Sequence, residues 1–136
     1  NDKFEFEFAS CIYACAPFVN PKLLQDSFEL LFKENCDCVF PILPYLHPIQ
    51  RALKFSESSK LVPFDDLNSN KRTQDLGKVF HDAGMFYTFD VNKFLVNKSL
   101  RTKNTFGIEI DELQAHDIDS ENDWVLAEMK YKLFFK

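Results

Sequence analysis

Glu5-Phe-Glu-Phe-Ala-Ser-Cys-Ile-Tyr-Ala14 alternates polar and apolar residues at first and then becomes almost continuously apolar, as a strand entering the middle of a sheet does. A helical pattern follows, in which Asn20 supplies an N-cap, Pro21 occupies the first helical position, and apolar residues repeat at helical spacing over 21–35. A second buried strand is predicted at 38–43. This order of strand, helix and strand predicts a right-handed crossover, a parallel strand pair and an α/β fold.

The stretch that follows this unit has a different pattern. Alternation over 49–55 predicts a half-exposed strand, with a turn at 56–60 and an antiparallel hairpin partner at 61–64. Residues 65–75 are polar and irregular, and a long polar loop inside a compact domain is usually functional. We therefore predict an antiparallel excursion at about 47–80.

The remaining chain returns to alternating strands and helices. A third core strand is predicted at 84–89, a short helix capped by Asp90 at 90–97, a strand at 106–110 and a last helix at 121–135. Together these elements predict a three-layer α/β sandwich with a mainly parallel sheet, in one domain of 136 residues.

Composition restricts the class of protein. Hydrophobic residues make up 46% of the chain, which is enough for a sizeable core. The net charge of -5 argues against a nucleic-acid partner, because phosphate binding needs a basic face. The sequence has no apolar run as long as a membrane span and no recognisable secretory leader, so we expect no membrane partner and a cytoplasmic location.

Four cysteines stand at positions 11, 15, 36 and 38. Their spacings do not match a common zinc pair, and both pairs lie in apolar, strand-like runs. We predict buried free thiols rather than a metal site.

The candidate metal-binding residues are Asp117 and Asp119, which flank the apolar Ile118. In an extended segment both carboxylates point the same way, while the residue between them turns into the interior. A helix start follows, with Ser120 as a cap and Asp123 three residues on. Two convergent carboxylates suit Mg²⁺, which leaves its remaining positions to water and substrate phosphate. The alternative is that Asp119 only caps the helix and Asp117 faces solvent.

Charge is separated along the sequence. Seven acidic residues and no Lys or Arg lie between Glu109 and Asp123, whereas Arg51 to Lys78 contains six basic residues. An acidic strand end and a basic loop are what a site for a metal, a phosphate and an organic anion needs. The alternative is two solvated faces of opposite sign.

Other kinds of chemistry find no support in the sequence. The three histidines, at 47, 81 and 116, have no Ser or Cys partner at a recognisable spacing, which argues against a nucleophilic triad. The chain contains no glycine-rich phosphate loop of the Walker or dinucleotide type.

Five segments, in order, resemble motifs of the acylneuraminate (CMP-sialic acid) cytidylyltransferase family, and above all of its pseudaminic acid branch. Tyr13-Ala-Cys-Ala-Pro-Phe18 is similar to "TAPF" or "TSPLR", His47-Pro-Ile-Gln-Arg-Ala-Leu53 to "PIQRAL", and Lys71-Arg-Thr-Gln-Asp75 to "RRQD" or "KRSQD". His81-Asp-Ala-Gly-Met-Phe-Tyr87 is similar to "HDAGQFYW", and Asp117-Ile-Asp119 with Asp123-Trp124 and Ala127-Glu128 to "DIDTEEDW..AE".

The resemblance implies a nucleotide-diphospho-sugar-transferase-like (Rossmann-like) fold and a reaction that couples CTP to an acidic nine-carbon sugar, releasing pyrophosphate. It implies that Asp117 and Asp119 are catalytic and bind Mg²⁺ at the triphosphate. Arg72 and Gln74, next to Lys71, would lie near the sugar carboxylate. The strand that carries Gln50, Arg51 and Lys54 would line the sugar pocket or reach across the interface of a homodimer, which the excursion forms.

The sequence departs from the family pattern in two ways. The family opens with an "IPARGGSKR"-type loop for the CTP phosphates, and that segment does not occur in this sequence. In addition, Cys15 replaces the threonine of "TAP", and Val19 stands where the sialic branch has an arginine. We therefore interpret the chain as a partial cytidylyltransferase domain, its C-terminal portion, and expect it to be inactive alone. The alternative is a non-catalytic remnant that dimerises or binds sugar.

Overall fold

The fold is given by a computed structural model that describes residues 5–68 and 71–134. The chain divides into a sheet unit (Asn1–Leu43 and Asp82–Lys136) and a hairpin unit (Pro44–His81). The described parts contain β1 (Phe8–Ile12), α1 (Pro21–Glu34), β2 (Cys38–Pro44), β3 (Leu53–Phe55), β4 (Leu61–Pro63), β5 (Phe80–Asp82), β6 (Phe86–Asp90), α2 (Val91–Asn97), β7 (Thr105–Glu109) and α3 (Glu121–Phe134).

Helix α1 forms where the sequence predicts it. The Asn20 side chain accepts a hydrogen bond from the Leu23 N–H at 2.9 Å, and Pro21 occupies the first turn, where no N–H donor is needed. The helix ends one residue earlier than predicted because Asn35 adopts a left-handed conformation, with φ of 46°. Local capping chemistry therefore sets both ends of this helix.

The sheet of the sheet unit is mixed. Strand β6 pairs antiparallel with β1 along its whole length, from Phe8 opposite Asp90 to Ile12 opposite Phe86. The same strand pairs antiparallel with the start of β2, whereas β2 and β7 pair in parallel. The prediction that β1 and β2 pair is wrong, because β6 lies between them, although the two strands do run in the same direction. The predictions of a mainly parallel sheet and of β1 in mid-sheet are wrong for the same reason.

Helices cover both faces of β6. The hydroxyl groups of Thr88 and of Ser27 in α1 form a hydrogen bond, with 2.7 Å between their oxygens. Its neighbour Phe89 packs on Phe94 of α2, with 5.3 Å between ring centroids. Because adjacent strand residues face opposite sides, α1 and α2 lie on opposite faces of the sheet at this strand. This arrangement gives three layers there.

The core of the sheet unit is centred on β6 and β2. Phe86, Met85 and Val39 are all fully buried. Cys36 and Cys38 are buried free thiols, as predicted, and burial raises the pKa of both, that of Cys38 to about 12. The prediction is wrong for Cys11 and Cys15, which are exposed free thiols.

The hairpin unit contains the predicted antiparallel pair. Leu53 lies opposite Pro63 and Phe55 opposite Leu61, with a turn between the strands closed by a 2.8 Å hydrogen bond from the Ser56 N–H to the Lys60 carbonyl. The first half of the predicted strand over 49–55 is instead a 3₁₀ turn, because the Arg51 N–H donates back to the Pro48 carbonyl at 2.9 Å.

The other predicted elements occur with small shifts. The strand predicted at 84–89 begins at Phe86, because Gly84 has a φ of +66° and interrupts the extended backbone. Helix α2 is capped by Asp90 as predicted, through a 3.0 Å hydrogen bond from the Lys93 N–H. Residues 69–70 of the predicted loop and residue 135 of the last predicted helix lie outside the described residues. None of the helices over 5–68 and 71–134 is long and apolar enough to cross a membrane.

Candidate functional site

The two candidate metal-binding carboxylates lie in the connection between β7 and α3. Ile118 is partly buried against the main hydrophobic cluster of the sheet unit, whereas Asp117 and Asp119 are exposed. The alternation predicted from the sequence is therefore present, with the apolar residue turned inward between two outward carboxylates.

The start of α3 is capped without Asp119. The Asp123 carboxylate accepts from the Ser120 N–H at 2.8 Å and from the Ser120 hydroxyl at 2.7 Å, as in a capping box. The hydrogen bond from the Ser120 hydroxyl is the main cause that lowers the pKa of Asp123. Asp119 contributes only its backbone N–H, which donates to Asp123 at 3.2 Å. The interpretation of Asp119 as the helix cap is therefore wrong, and its carboxylate is available to a ligand.

Asp117 rests against a glycine of the turn that precedes β6. A Cβ atom added to Gly84 would lie 3.2 Å from Asp117 Oδ2 and 3.5 Å from Asp117 Cγ. The positive φ of Gly84 also disfavours any other residue there. One side of the Asp117 carboxylate therefore lies against Gly84, while the residue as a whole is exposed.

The donor set fits a hard divalent cation. Over the residues that the structure describes, neither the Asp117 nor the Asp119 carboxylate makes a hydrogen bond or an ion pair with another side chain. Mg²⁺ takes carboxylate oxygens and commonly keeps several positions for water and phosphate. Across 5–68 and 71–134 no group of three or more His, Cys, Asp or Glu side chains could hold a metal ion, so the pair would need substrate or water oxygens to complete the coordination.

In the hairpin unit, two of the predicted sugar-binding segments lie together. The Gln50 side chain donates to the Gly77 carbonyl at 3.1 Å, and the Arg51 guanidinium donates to the Thr73 hydroxyl at 3.3 Å. These contacts connect the 3₁₀ turn that carries Gln50 and Arg51 to the 3₁₀ turn at Thr73–Asp75. Within the described part of the chain, the buried Gln50 Oε1 atom has no hydrogen-bond partner.

The other predicted substrate-binding residues are exposed in the same unit. Arg72 immediately precedes the second 3₁₀ turn and Gln74 lies within it, so both side chains project from the loop that Arg51 holds. Lys71 is exposed beside them. The ammonium group of Lys54 lies 5.6 Å from the ring centroid of Phe64, a cation–π contact on the hairpin.

A polar cluster that sequence reasoning missed lies behind the Gly84 turn. The Asp82 carboxylate accepts from the Gly84 N–H at 2.9 Å, from Arg101 at 2.7 Å and from the Tyr87 hydroxyl. Burial, followed by the hydrogen bond to Asp82, raises the pKa of Tyr87 far above its usual value, so Tyr87 is a donor. Asp82 and Gly84 belong to a recognised motif, but the sequence around Arg101 contains no signal that it joins them.

Comparison with known proteins identifies relatives over most of the chain. The chain is 28% identical over 128 residues to the pseudaminic acid cytidylyltransferases of two strains of Campylobacter jejuni subsp. jejuni. Each of these alignments covers 94% of this chain and 55% of the relative. A bifunctional Helicobacter pylori protein, named pseudaminic acid cytidylyltransferase and UDP-2,4-diacetamido-2,4,6-trideoxy-beta-L-altropyranose hydrolase, is 31% identical over 113 residues, covering 82% of this chain and 22% of that protein.

No family model matches the chain. The chain spans about half the length of the Campylobacter relatives it matches. These matches confirm the family resemblance that the five motifs predict.

Proposed function

We propose that this chain, a homologue of the pseudaminic acid cytidylyltransferases, is part of a Mg²⁺-dependent cytidylyltransferase. The reaction couples CTP to an acidic nine-carbon sugar, pseudaminic acid or a related sialic acid, and yields the CMP-sugar and pyrophosphate. The observation that carries the proposal is that the carboxylates of Asp117 and Asp119 are both exposed and make no ion pair with the described residues. The relatives of this chain are named pseudaminic acid cytidylyltransferases.

The reaction requires little covalent chemistry from the protein. The anomeric hydroxyl of the sugar attacks the α-phosphorus of CTP and gives up its proton to water. A new oxygen–phosphorus bond forms, and the bond to the β-phosphate oxygen breaks to release pyrophosphate. Asp117 and Asp119 would hold Mg²⁺, which would supply positive charge at the phosphate oxygens. The role of the protein is to orient the two substrates, which agrees with the absence of a nucleophilic triad signal from the sequence.

The hairpin unit supplies the groups for the sugar. The exposed Arg72 guanidinium has the planar fork that binds a carboxylate through two hydrogen bonds. Gln74 and Lys71, on the same loop, provide further donors, and the contact of Arg51 with Thr73 holds that loop in place. Lys54 is a further exposed cation on the hairpin, whereas Gln50 is partly buried and donates to the Gly77 carbonyl.

The hairpin also offers a surface for homodimerisation. Leu53, Phe55 and Leu61 lie on one face of the β3–β4 pair, because residues 53 and 55 are two apart and Phe55 lies opposite Leu61. All three side chains are more than half exposed. An apolar face on a two-stranded sheet is stabilised when a second copy covers it, and we propose this face as the dimer interface.

Pyrophosphate release tests the proposed activity. The protein encoded by the full reading frame, and the 136-residue chain alone, are each given CTP, Mg²⁺ and a panel of nonulosonic acids that includes pseudaminic acid. We expect release with the full protein, abolished by Asp117→Asn, and none with the chain alone. No release above background with any sugar would refute the enzyme. Calorimetric binding of sugar without CTP binding would favour the non-catalytic sugar-binding module.

A further inference from the structure

The turn that supports Asp117 is itself held by a partly buried carboxylate, that of Asp82. Gly84 N–H donates to Asp82 Oδ1 at 2.9 Å, which closes a short side-chain turn around a residue with left-handed φ. The neighbouring Ala83 is buried, and its N–H donates to the Pro41 carbonyl at 3.0 Å. The position of Gly84 is therefore set from both sides, by the Asp82 side chain and by the core strand β2.

Asp82 is in turn fixed by donors on its other oxygen. Oδ2 accepts hydrogen bonds from Arg101 at 2.7 Å and from the Tyr87 hydroxyl, while Oδ1 accepts from the Gly84 N–H. The Arg101 guanidinium also lies 5.7 Å from the ring centroid of Phe40, a cation–π contact that helps to hold the guanidinium beside Asp82. Both carboxylate oxygens of Asp82 are thus used inside the protein, and its side chain is only 18% exposed.

The chain of contacts ends at Asp117. The Gly84 backbone is the surface against which the Asp117 carboxylate packs, because a Cβ atom there would lie 3.2 Å from Asp117 Oδ2, closer than most Cβ contacts in proteins. If the Gly84 turn relaxed, that surface would move and the carboxylate would gain rotamers. Ordering a metal ligand when the metal binds costs affinity. Mutation of the outer-shell groups that orient metal ligands commonly weakens metal binding by about 10–100-fold.

We propose that Asp82 is a positioning residue for the Asp117 carboxylate and acts through the Gly84 turn. This inference rests on the proposed function only in taking Asp117 as the metal ligand. Asp82 itself does not contact metal or substrate. Asp82 lowers the dissociation constant of the metal, because it keeps the Gly84 turn in place against the Asp117 carboxylate.

The test measures Mn²⁺ affinity in the presence of CTP, by the loss of the free Mn²⁺ paramagnetic resonance signal, in the protein encoded by the full reading frame. We expect Asp82→Ala to raise the Mn²⁺ dissociation constant at least about tenfold. The Mg²⁺ concentration that gives half-maximal rate should rise in parallel, and saturating Mg²⁺ should restore most of kcat. Asp82→Asn keeps an oxygen for the Gly84 N–H and should show a smaller rise.

Gly107→Ala is the matched control for lost stability. A Cβ at Gly107 would meet the Ile42 side chain at 2.5 Å in the sheet, so this variant should melt earlier with Mn²⁺ affinity unchanged. An equal loss of Mn²⁺ affinity in Gly107→Ala, or an unchanged affinity in Asp82→Ala, would overturn the inference. If Asp82→Ala does not fold, Gly84→Ala takes its place, with the same expected rise.

The variant Asp117→Asn distinguishes a failure of the positioning role of Asp82 from a failure of the metal site itself. If it weakens Mn²⁺ binding while Asp82→Ala does not, the positioning role fails and the metal site stands. If Asp117→Asn leaves Mn²⁺ binding unchanged, the proposed metal site itself fails.

Discussion

The sheet unit and the hairpin unit differ in how they treat apolar side chains. Every buried residue of the described chain lies in the sheet unit, whereas the described residues of Pro44–His81 are all at least partly exposed. Phe86 in β6 is 0% exposed, and Phe55 in β3 is 73% exposed. The candidate metal site therefore lies on a packed core, while the candidate sugar and dimer surface is open to another molecule.

The comparison predicts its largest effect on stability. Phe86→Ala should lower the free energy of unfolding by about 3–5 kcal/mol, because it removes a fully buried ring and leaves a cavity. Phe55→Ala should change it by less than about 0.5 kcal/mol at concentrations where the protein is monomeric. Urea unfolding of both variants checks this, and equal losses would show that the hairpin has a core of its own.

The next effect is on catalysis. In the protein encoded by the full reading frame, Asp119→Asn should lower kcat by about 100-fold or more, since a metal ligand contributes several kcal/mol of transition-state stabilisation. Its melting temperature should hardly move, because the Asp119 side chain does not cap α3. Pyrophosphate release and a thermal melt measure the two quantities. Glu112→Gln, on the same acidic stretch, is the control and should keep full activity, while a collapse of the Asp119→Asn melt would mark Asp119 as structural.

A smaller effect concerns the hairpin face. Phe55→Ser should weaken the dimer by about tenfold, because an exposed ring that a second copy covers contributes at least 1–2 kcal/mol, roughly one decade in dissociation constant. Sedimentation velocity over a concentration series measures it. Val96→Ser on α2 removes a comparably exposed apolar side chain from the sheet unit and should have no effect. Equal weakening by both would place the interface elsewhere.

The smallest effect separates the two ligands. Arg72→Lys should weaken sugar binding by roughly three- to tenfold and CTP binding less, since an ammonium group cannot replace the two-pronged guanidinium. Calorimetry with each ligand distinguishes the losses. Equal losses would place Arg72 at the phosphates and would contradict the assignment of the hairpin unit to the sugar.

Features that depend on neighbouring residues could be predicted from the sequence. The caps at Asn20 and Asp90, and the Ser120–Asp123 box, each need only residues three apart. The β3–β4 hairpin was predictable because its turn is short. The alternation around Ile118 also followed from local spacing, and it gave the outward direction of both candidate metal ligands.

Features set by distant contacts could not be predicted. The insertion of β6 between β1 and β2 depends on pairing across the sheet, which the strand pattern does not encode. It leaves β1 at the end of the strand order, and Cys11 is exposed there despite its apolar run. Asp82 and Arg101 are 19 residues apart, and the contact of Gly84 with Asp117 joins two separate motifs. These contacts form only when the chain folds.

We propose that Asp117 and Asp119 bind one divalent cation together, and the anomalous signal of manganese in crystals grown with CTP and Mn²⁺ can show whether they do. We expect one peak at coordination distance, about 2.0–2.2 Å, from an oxygen of each carboxylate. A peak bound by other side chains, with these two carboxylates turned away from it, would contradict the account.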